Sequence, residues 1–181
     1  MRLFFALMPP APVVPRLARA AADVPVHGRR VPPANFHVTL VFVGTVDAAG
    51  YAACEQAGSR VVGTAFDLVL SRAGTFTGAR VAWLGPQDPP PALGTLVADL
   101  RTALTATGIR YDPKPFRCHV TIARDVRGAP GPEALPPVAW PVREFALVES
   151  VSGSAGVRYE SRVKWPLRPA CRDETATSPV Q

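Results

Sequence analysis

The sequence predicts an α+β fold, and three observations predict it. Strand-like and helix-like segments mix without the regular alternation that a parallel α/β sheet requires. Hydrophobic residues make up 48% of the 181 positions against 19% charged, the balance of a globular chain. The triplet His-Val-Thr occurs twice, at His37 and at His119, each time inside a strand-like run. The length suits one sizeable domain or two small lobes sharing a core.

In chain order, Arg2 to Met8 is an apolar, strand-like run ending at two prolines. It is too short for a signal sequence and has no small-residue cleavage site, so a cytoplasmic location is expected. Val13 to Val24 reads as a helix, with Pro15 tolerable in its first turn. Residues 25–35 (PVHGRRVPPAN) read as a loop, and His27 as a loop residue. Phe36 to Val43 is a strand, closed by Gly44. Asp47 is placed to cap a helix through about Val62. Ala65 to Ser71 and Arg80 to Leu84 are strands around a Gly/Thr-rich turn. Leu93, Leu96, Val97, Leu100 and Leu104 recur at helical spacing as one apolar stripe, read as core, and Gly108 ends that helix. Phe116 to Ala123 is a strand, and Arg127 to Pro137, rich in proline, is a loop. Val142 to Ser150 and Val157 to Trp165 are strands, expected to pair. A single domain over residues 1–168 is expected, followed by a flexible tail over 169–181.

Composition narrows the chemistry. No apolar run is long enough to span a bilayer, so no membrane partner is expected. Cys54, Cys118 and Cys171 are widely spaced with no CxxC pair, which suggests neither a disulfide set nor a zinc site. Adjacent strand residues point to opposite faces, so Cys118 and His119 diverge and Cys118 reads as a small buried apolar residue. The formal net charge of +6, with Lys114 and Lys164 the only lysines, favours an anionic partner such as a phosphate ester or nucleic acid. Arginine and proline richness can also follow from base composition, so charge alone carries little.

Strand geometry sorts the two histidine segments by face. Phe36, Val38, Leu40 and Phe42 fall on one face, all large and apolar; His37 and Thr39 fall on the other. Cys118, Val120 and Ile122 make the apolar face of the second strand, with His119 and Thr121 opposite. Either motif alone reads as an ordinary strand, since threonine is a good strand former. The identical triplet, using two of the three histidines, points to function. Imidazole titrates near neutrality, so one can act as base while the other acts as acid. Such a pair suits in-line displacement at phosphorus, with threonine hydroxyls donating to the non-bridging oxygens. A strained cyclic phosphate ester is a natural substrate.

The paired HxTx motifs resemble those of the two-histidine (2H) phosphoesterase superfamily. Within it the chain is similar to the bacterial and archaeal RNA 2',3'-cyclic phosphodiesterases, also called 2'-5' RNA ligases. The similarity runs through MRLFFAL, VPPANFHVTLVFVG, RVAWLG, PFRCHVTIAR, FALVES and the closing strand, roughly Met1 to Leu167. It implies a bilobal, pseudo-twofold duplicated fold, with two antiparallel sheets facing a central cleft and helices outside. It implies metal-independent hydrolysis of RNA 2',3'-cyclic phosphate ends to 2'-phosphomonoesters; no cofactor and a monomeric state are expected. His37 would be the proton donor, His119 the proton acceptor, and Thr39 and Thr121 would hold the phosphate; the residues themselves do not assign the two histidine roles. Arg124 would bind phosphate as well, although strict alternation puts it on the core face with Ile122, so the strand must bend for it to reach the cleft. Cys118 stands where relatives usually have proline, and Ile122 where leucine is common. Phe5, Phe36 and Trp83 are candidates to stack on a base, with core packing favoured for Phe36. The alternatives are 2'-5' RNA ligation or 2'-5' oligonucleotide cleavage at the same residues, a non-catalytic RNA-binding module, and a metal hydrolase, which the absence of an HxxxH motif disfavours.

Overall fold

The computed structural model describes residues 1–127, 133–154 and 156–170. Along the chain lie β1 (Arg2–Leu7), α1 (Val14–Asp23), β2 (Arg29–Arg30), a short 3-10 turn (Pro33–Asn35), β3 (Val38–Thr45), α2 (Ala48–Arg60), β4 (Phe66–Phe76) and β5 (Val81–Gly85). Then come α3 (Pro91–Ala106), β6 (Val120–Arg124), β7 (Glu133–Val142), β8 (Glu144–Gly153) and β9 (Gly156–Pro166). The strands form one sheet in the order β7-β4-β5-β6-β3-β1-β8-β9, with β2 added on β6. The strand pairs are antiparallel throughout. The predicted α+β class is the observed one, but in place of two separate antiparallel sheets the strands join into one, because β3 and β6 pair at Val38 and Val120.

The helices form where their ends permit. Pro15 falls in the first turn of α1, where its missing N–H costs nothing. The Asp47 carboxylate accepts from Gly50 N at 2.8 Å and caps α2. Gly108 takes a φ of +74° just beyond α3, a left-handed position that favours glycine. The stripe Leu93, Leu96, Leu100 and Leu104 of α3 is fully buried, together with Leu17 of α1 and Cys54 of α2. These side chains pack in one core with Leu3, Phe5 and Leu7 of β1 and with Phe145 and Leu147 of β8. The alternate residues Phe4, Ala6, Ala146 and Val148 form a second, small cluster with Phe42 and Tyr159. The β1–β8 ladder therefore separates a large helix-covered core from a thin apolar layer on the other face.

Three readings of the sequence are corrected. The segment read as a loop to Pro137 is already strand from Glu133. Pro136, Pro137 and Pro141 disguise it, but β7 lies at the edge of the sheet, where proline is tolerated. Its register against β4 also breaks between Val138 and Ala134, where Pro136 and Pro137 sit. Arg29 and Arg30, also read as loop, pair with Arg124 and Ala123 as β2. Finally, β3 and β6 start later than expected, so His37 and His119 each stand immediately before a strand. Arg168 is tied to Gly63 and Ala65 by backbone hydrogen bonds of 2.9 and 2.7 Å. The tail expected beyond it falls, from residue 171, outside the described residues, as does Cys171.

Where α2 crosses β9, the Trp165 ring stacks on Phe145 at 5.2 Å and leaves room only for a glycine at position 58. A Cβ there would meet the Trp165 ring at 2.5 Å. Gly58→Ala gains helix propensity of about 1 kcal/mol but overpacks this contact by about 1–3 kcal/mol. Chemical denaturation is expected to show a net loss of stability, smaller in Gly58→Ala/Trp165→Phe, where the bulky ring is removed.

Candidate active site

Both imidazoles are held in the same way. His37 Nδ1 lies 2.8 Å from Asn35 O, and His119 Nδ1 lies 2.7 Å from Arg117 O, each a carbonyl two residues earlier. A carbonyl only accepts, so in the neutral ring Nδ1 carries the proton and Nε2 keeps its lone pair. At His37 that lone pair is met by Thr39 Oγ1 at 3.1 Å, whose hydroxyl donates to it.

A pair of β-bulges decides what else faces the same way. Between β1 and β3, Ala6 pairs with Thr39 but Phe5 pairs with Val41, so Leu40 is an extra residue. Leu40 and Val41 are both buried in the core, and parity is reset. Phe42, expected in the core, instead returns to the side of Thr39. Between β5 and β6, Trp83 pairs with Thr121 and Ala82 with Ala123, so Ile122 is the extra residue. Ile122 and Ala123 are both buried, and Arg124 returns to the side of Thr121. This is the bend that Arg124 needs to reach the cleft.

His37, Thr39, Thr121 and Arg124 line one cavity of about 620 Å³, together with Arg2, Arg29, Phe42 and Tyr159. His119 opens onto an adjoining cavity of about 630 Å³ that shares Thr39 and Phe42 with the first. The two sites are electrostatically one. Burial pushes His37 down to about 4, outweighing the opposing hydrogen bond to Asn35, and the positive charges of His119 and Arg124 add to the depression. Burial also lowers His119, with Arg124 again contributing against the hydrogen bond to Arg117. In the ligand-free protein His37 is therefore uncharged at neutral pH. Asp125, the neighbour of Arg124, pairs with Arg29 at 3.5 Å, and Arg124 itself has no ion pair among the described residues. Burial drives the Cys118 thiol up to about 12, which disfavours the thiolate a nucleophile would need. Cys54 is fully buried.

Aromatic rings pack around each histidine. Tyr159 meets His37 edge-on at 4.7 Å and Phe4 lies at 5.0 Å from it. Phe76 meets His119 edge-on at 5.0 Å. Arg2 lies 5.1 Å over the Phe42 ring, bringing a further guanidinium to the first cavity. The sequence reading named other aromatics: Phe5 and Phe36 are core residues, and Trp83 packs on Phe76 at 5.4 Å. On β1 it is Phe4, the neighbour of Phe5 on the opposite face, that lines the cavity, a choice made by the partners on β3 and β8. His27 is an exposed loop residue.

The antiparallel sheet thus gathers two carbonyl-anchored imidazoles, two hydroxyls and a guanidinium without an ion pair among the described residues, a set of groups able to exchange protons and to bind an anion. The chain belongs to the 2'-5' RNA ligase superfamily, whose family model matches residues 9–153. It is 34% identical over 172 residues to the RNA 2',3'-cyclic phosphodiesterase of Escherichia coli K12, covering 92% of this chain and 96% of that protein. It is 33% identical to the RNA 2',3'-cyclic phosphodiesterase of Thermus thermophilus, covering 99% of this chain and 96% of that one. The crystal structure of E. coli LigT complexed with 3'-AMP superposes with a TM-score of 0.81 at 33% identity, over 92% of this chain and 97% of that one. These comparisons place the chain among the two-histidine phosphoesterases.

Since Arg124 depresses both imidazoles, Arg124→Gln is expected to raise the pKa of His37 and of His119 together. Titration of the imidazole NMR signals checks this; a rise at one ring alone would place Arg124 beside that ring only.

Proposed function

We propose that this protein hydrolyses RNA 2',3'-cyclic phosphate ends to 2'-phosphomonoesters by histidine general acid–base catalysis, without a metal ion. The observation that carries the reading is the matched pair of Nδ1-anchored imidazoles beside Arg124. The relatives' activity, given by their names as RNA 2',3'-cyclic phosphodiesterase, supports the substrate class.

In this reading water attacks phosphorus from the side of His119, whose Nε2 takes its proton. The P–O3' bond breaks, and O3' receives a proton from His37 Nε2. Thr39 and Thr121 donate to the non-bridging oxygens, and Arg124 balances the charge that grows on them. The assignment of donor to His37 and acceptor to His119 follows the resemblance. A donor must be charged, and His37 is uncharged in the free protein. The substrate answers this: a phosphodiester anion at about 4 Å contributes about 4 kcal/mol at an effective dielectric constant near 20, enough to bring a group titrating near 4 back towards neutrality. The bound anion thus charges its own acid catalyst.

The finer architecture belongs to the same proposal. The units β1–α1–β3 and β5–α3–β6 are each a strand, a helix and an antiparallel return strand, with a bulge just after the threonine of the motif. This supports a pseudo-twofold duplication with two lobes facing the cleft, within one domain over residues 1–168. We take the enzyme to be monomeric and cytoplasmic; no helix among the described residues is long and apolar enough to cross a membrane.

Removing an acid or base catalyst of this kind costs about 10²- to 10⁴-fold in rate. His37→Ala and His119→Ala are each expected to lose at least 10²-fold in kcat on a nucleoside 2',3'-cyclic phosphate, with wild-type turnover unaffected by a strong chelator. Phosphorus NMR is expected to show the 2'-monoester. A 3'-monoester, chelator-sensitive turnover, or RNA binding without turnover would each contradict the proposal.

A further inference from the structure

The residue two places before each motif histidine holds more than the imidazole. The Asn35 carbonyl accepts from His37 Nδ1, and the Asn35 side-chain amide donates to Val157 O at 2.8 Å, 122 positions away. A carbonyl only accepts, so it is the amide nitrogen that faces Val157. Val157 is the second residue of β9, and Tyr159 follows it on the same face. The Tyr159 ring meets both His37, at 4.7 Å, and Phe4, at 5.2 Å, and Phe4 lies 5.0 Å from His37, so three rings close on one another. Arg117 repeats the arrangement at the second motif. Its carbonyl holds His119 Nδ1, and its guanidinium lies 5.6 Å over Phe76, the ring that meets His119 edge-on. In each motif one residue thus grips the imidazole through its backbone, and through its side chain it grips the element that brings an aromatic ring onto that imidazole.

We propose that Asn35 is a positioning residue for the proton donor: its side chain fastens the end of β9 to the turn that carries His37, and so holds the Tyr159 ring against the imidazole. The proposal deepens the phosphodiesterase reading and rests on it, because it takes His37 as the acid.

The tie falls where the sheet itself gives little support. β9 is the last strand of the sheet, with β8 as its one strand neighbour, and Val157 lies beside the hairpin end that joins Gly153 to Gly156. Strand ends of this kind open locally at low cost. An opened end would carry Tyr159 off His37, let water reach the ring and free it to tilt. The donor must point Nε2 at the departing oxygen, and small misplacements of such a group are costly. Burial is the largest cause of the low His37 value, so loss of the covering ring raises it. The other charged and titratable groups around His37 are Arg2 of β1, Arg29 of β2, Arg124 of β6 and His119. None of them bonds the Asn35 side chain among the described residues, so a change there acts through β9.

The test titrates the imidazole NMR signals, and measures kcat on a nucleoside 2',3'-cyclic phosphate, for the wild type, Asn35→Ala, Tyr159→Ala and the double variant. Asn35→Ala keeps the backbone carbonyl on Nδ1 and removes only the tie. It is expected to raise the pKa of His37 by about one pH unit with His119 unmoved, and to lower kcat by up to about tenfold, the worth of one hydrogen bond. Tyr159→Ala is expected to raise the His37 pKa at least as far, and the double variant no further than Tyr159→Ala, because both substitutions undo one contact. A His37 pKa unchanged in Asn35→Ala, one that moves together with that of His119, or effects of the two substitutions that add, would overturn the proposal even where kcat falls. A wild type inert towards the cyclic phosphate would instead overturn the phosphodiesterase reading, whatever the titration shows.

Discussion

One residue pair joins the two halves of the sheet. Strands β3 and β6 meet only at Val38 and Val120, which lie opposite each other and are both fully buried. Each is the residue that follows a motif histidine. The backbone pairing therefore sets the two imidazoles on either side of one seam, and everything polar in the cleft is positioned from it. Most sheet neighbours share many pairs; β3 and β6 share this one, and His37, Thr39, Thr121 and Arg124 line a cavity beside it. The buried valines keep the seam dry and rigid, while the histidines stand just outside the regular strand, where a carbonyl two residues earlier can hold each ring.

The two bulges complete what the seam begins. By inserting Leu40 and Ile122, each motif strand buries two successive apolar residues and then turns its next side chain back to the cleft. The positions reached are Phe42 and Arg124. The two motifs thus differ in chemistry at equivalent places: one delivers a guanidinium directly, the other an aromatic ring over which Arg2 of the neighbouring strand lies. A near-symmetric pair of histidines is in this way given asymmetric surroundings, and His37 is the more strongly depressed of the two. Asymmetry of this kind is what separates an acid from a base when both are imidazoles.

Much of this was legible in the sequence because its causes are local. The repeated His-Val-Thr identified both catalytic candidates and both threonines; Asp47, Gly108 and the leucine stripe of α3 marked helix ends and the buried face. The rest depended on neighbours distant in sequence. A bulge inside an all-apolar stretch has no signature, since Leu40-Val41 and Ile122-Ala123 read equally well as uninterrupted strand. Strict alternation consequently misplaced Phe42 and left Arg124 undecided. Strand β7 was hidden because its prolines are disfavoured everywhere except at a sheet edge, and edge position is a property of the assembled sheet. Tyr159, in a strand of alternating charge, gave no sign that it would reach over β1 and β8 to His37.

The central claim is that the seam holds one phosphate between two imidazoles. A crystal structure with a nucleoside 2'-monophosphate tests it most directly. The account predicts the phosphate bridging Nε2 of His37 and Nε2 of His119, with Thr39, Thr121 and Arg124 on its oxygens and the nucleoside in the cavity lined by Tyr159. A phosphate bound through the arginines alone, with either imidazole out of hydrogen-bond reach, would contradict it.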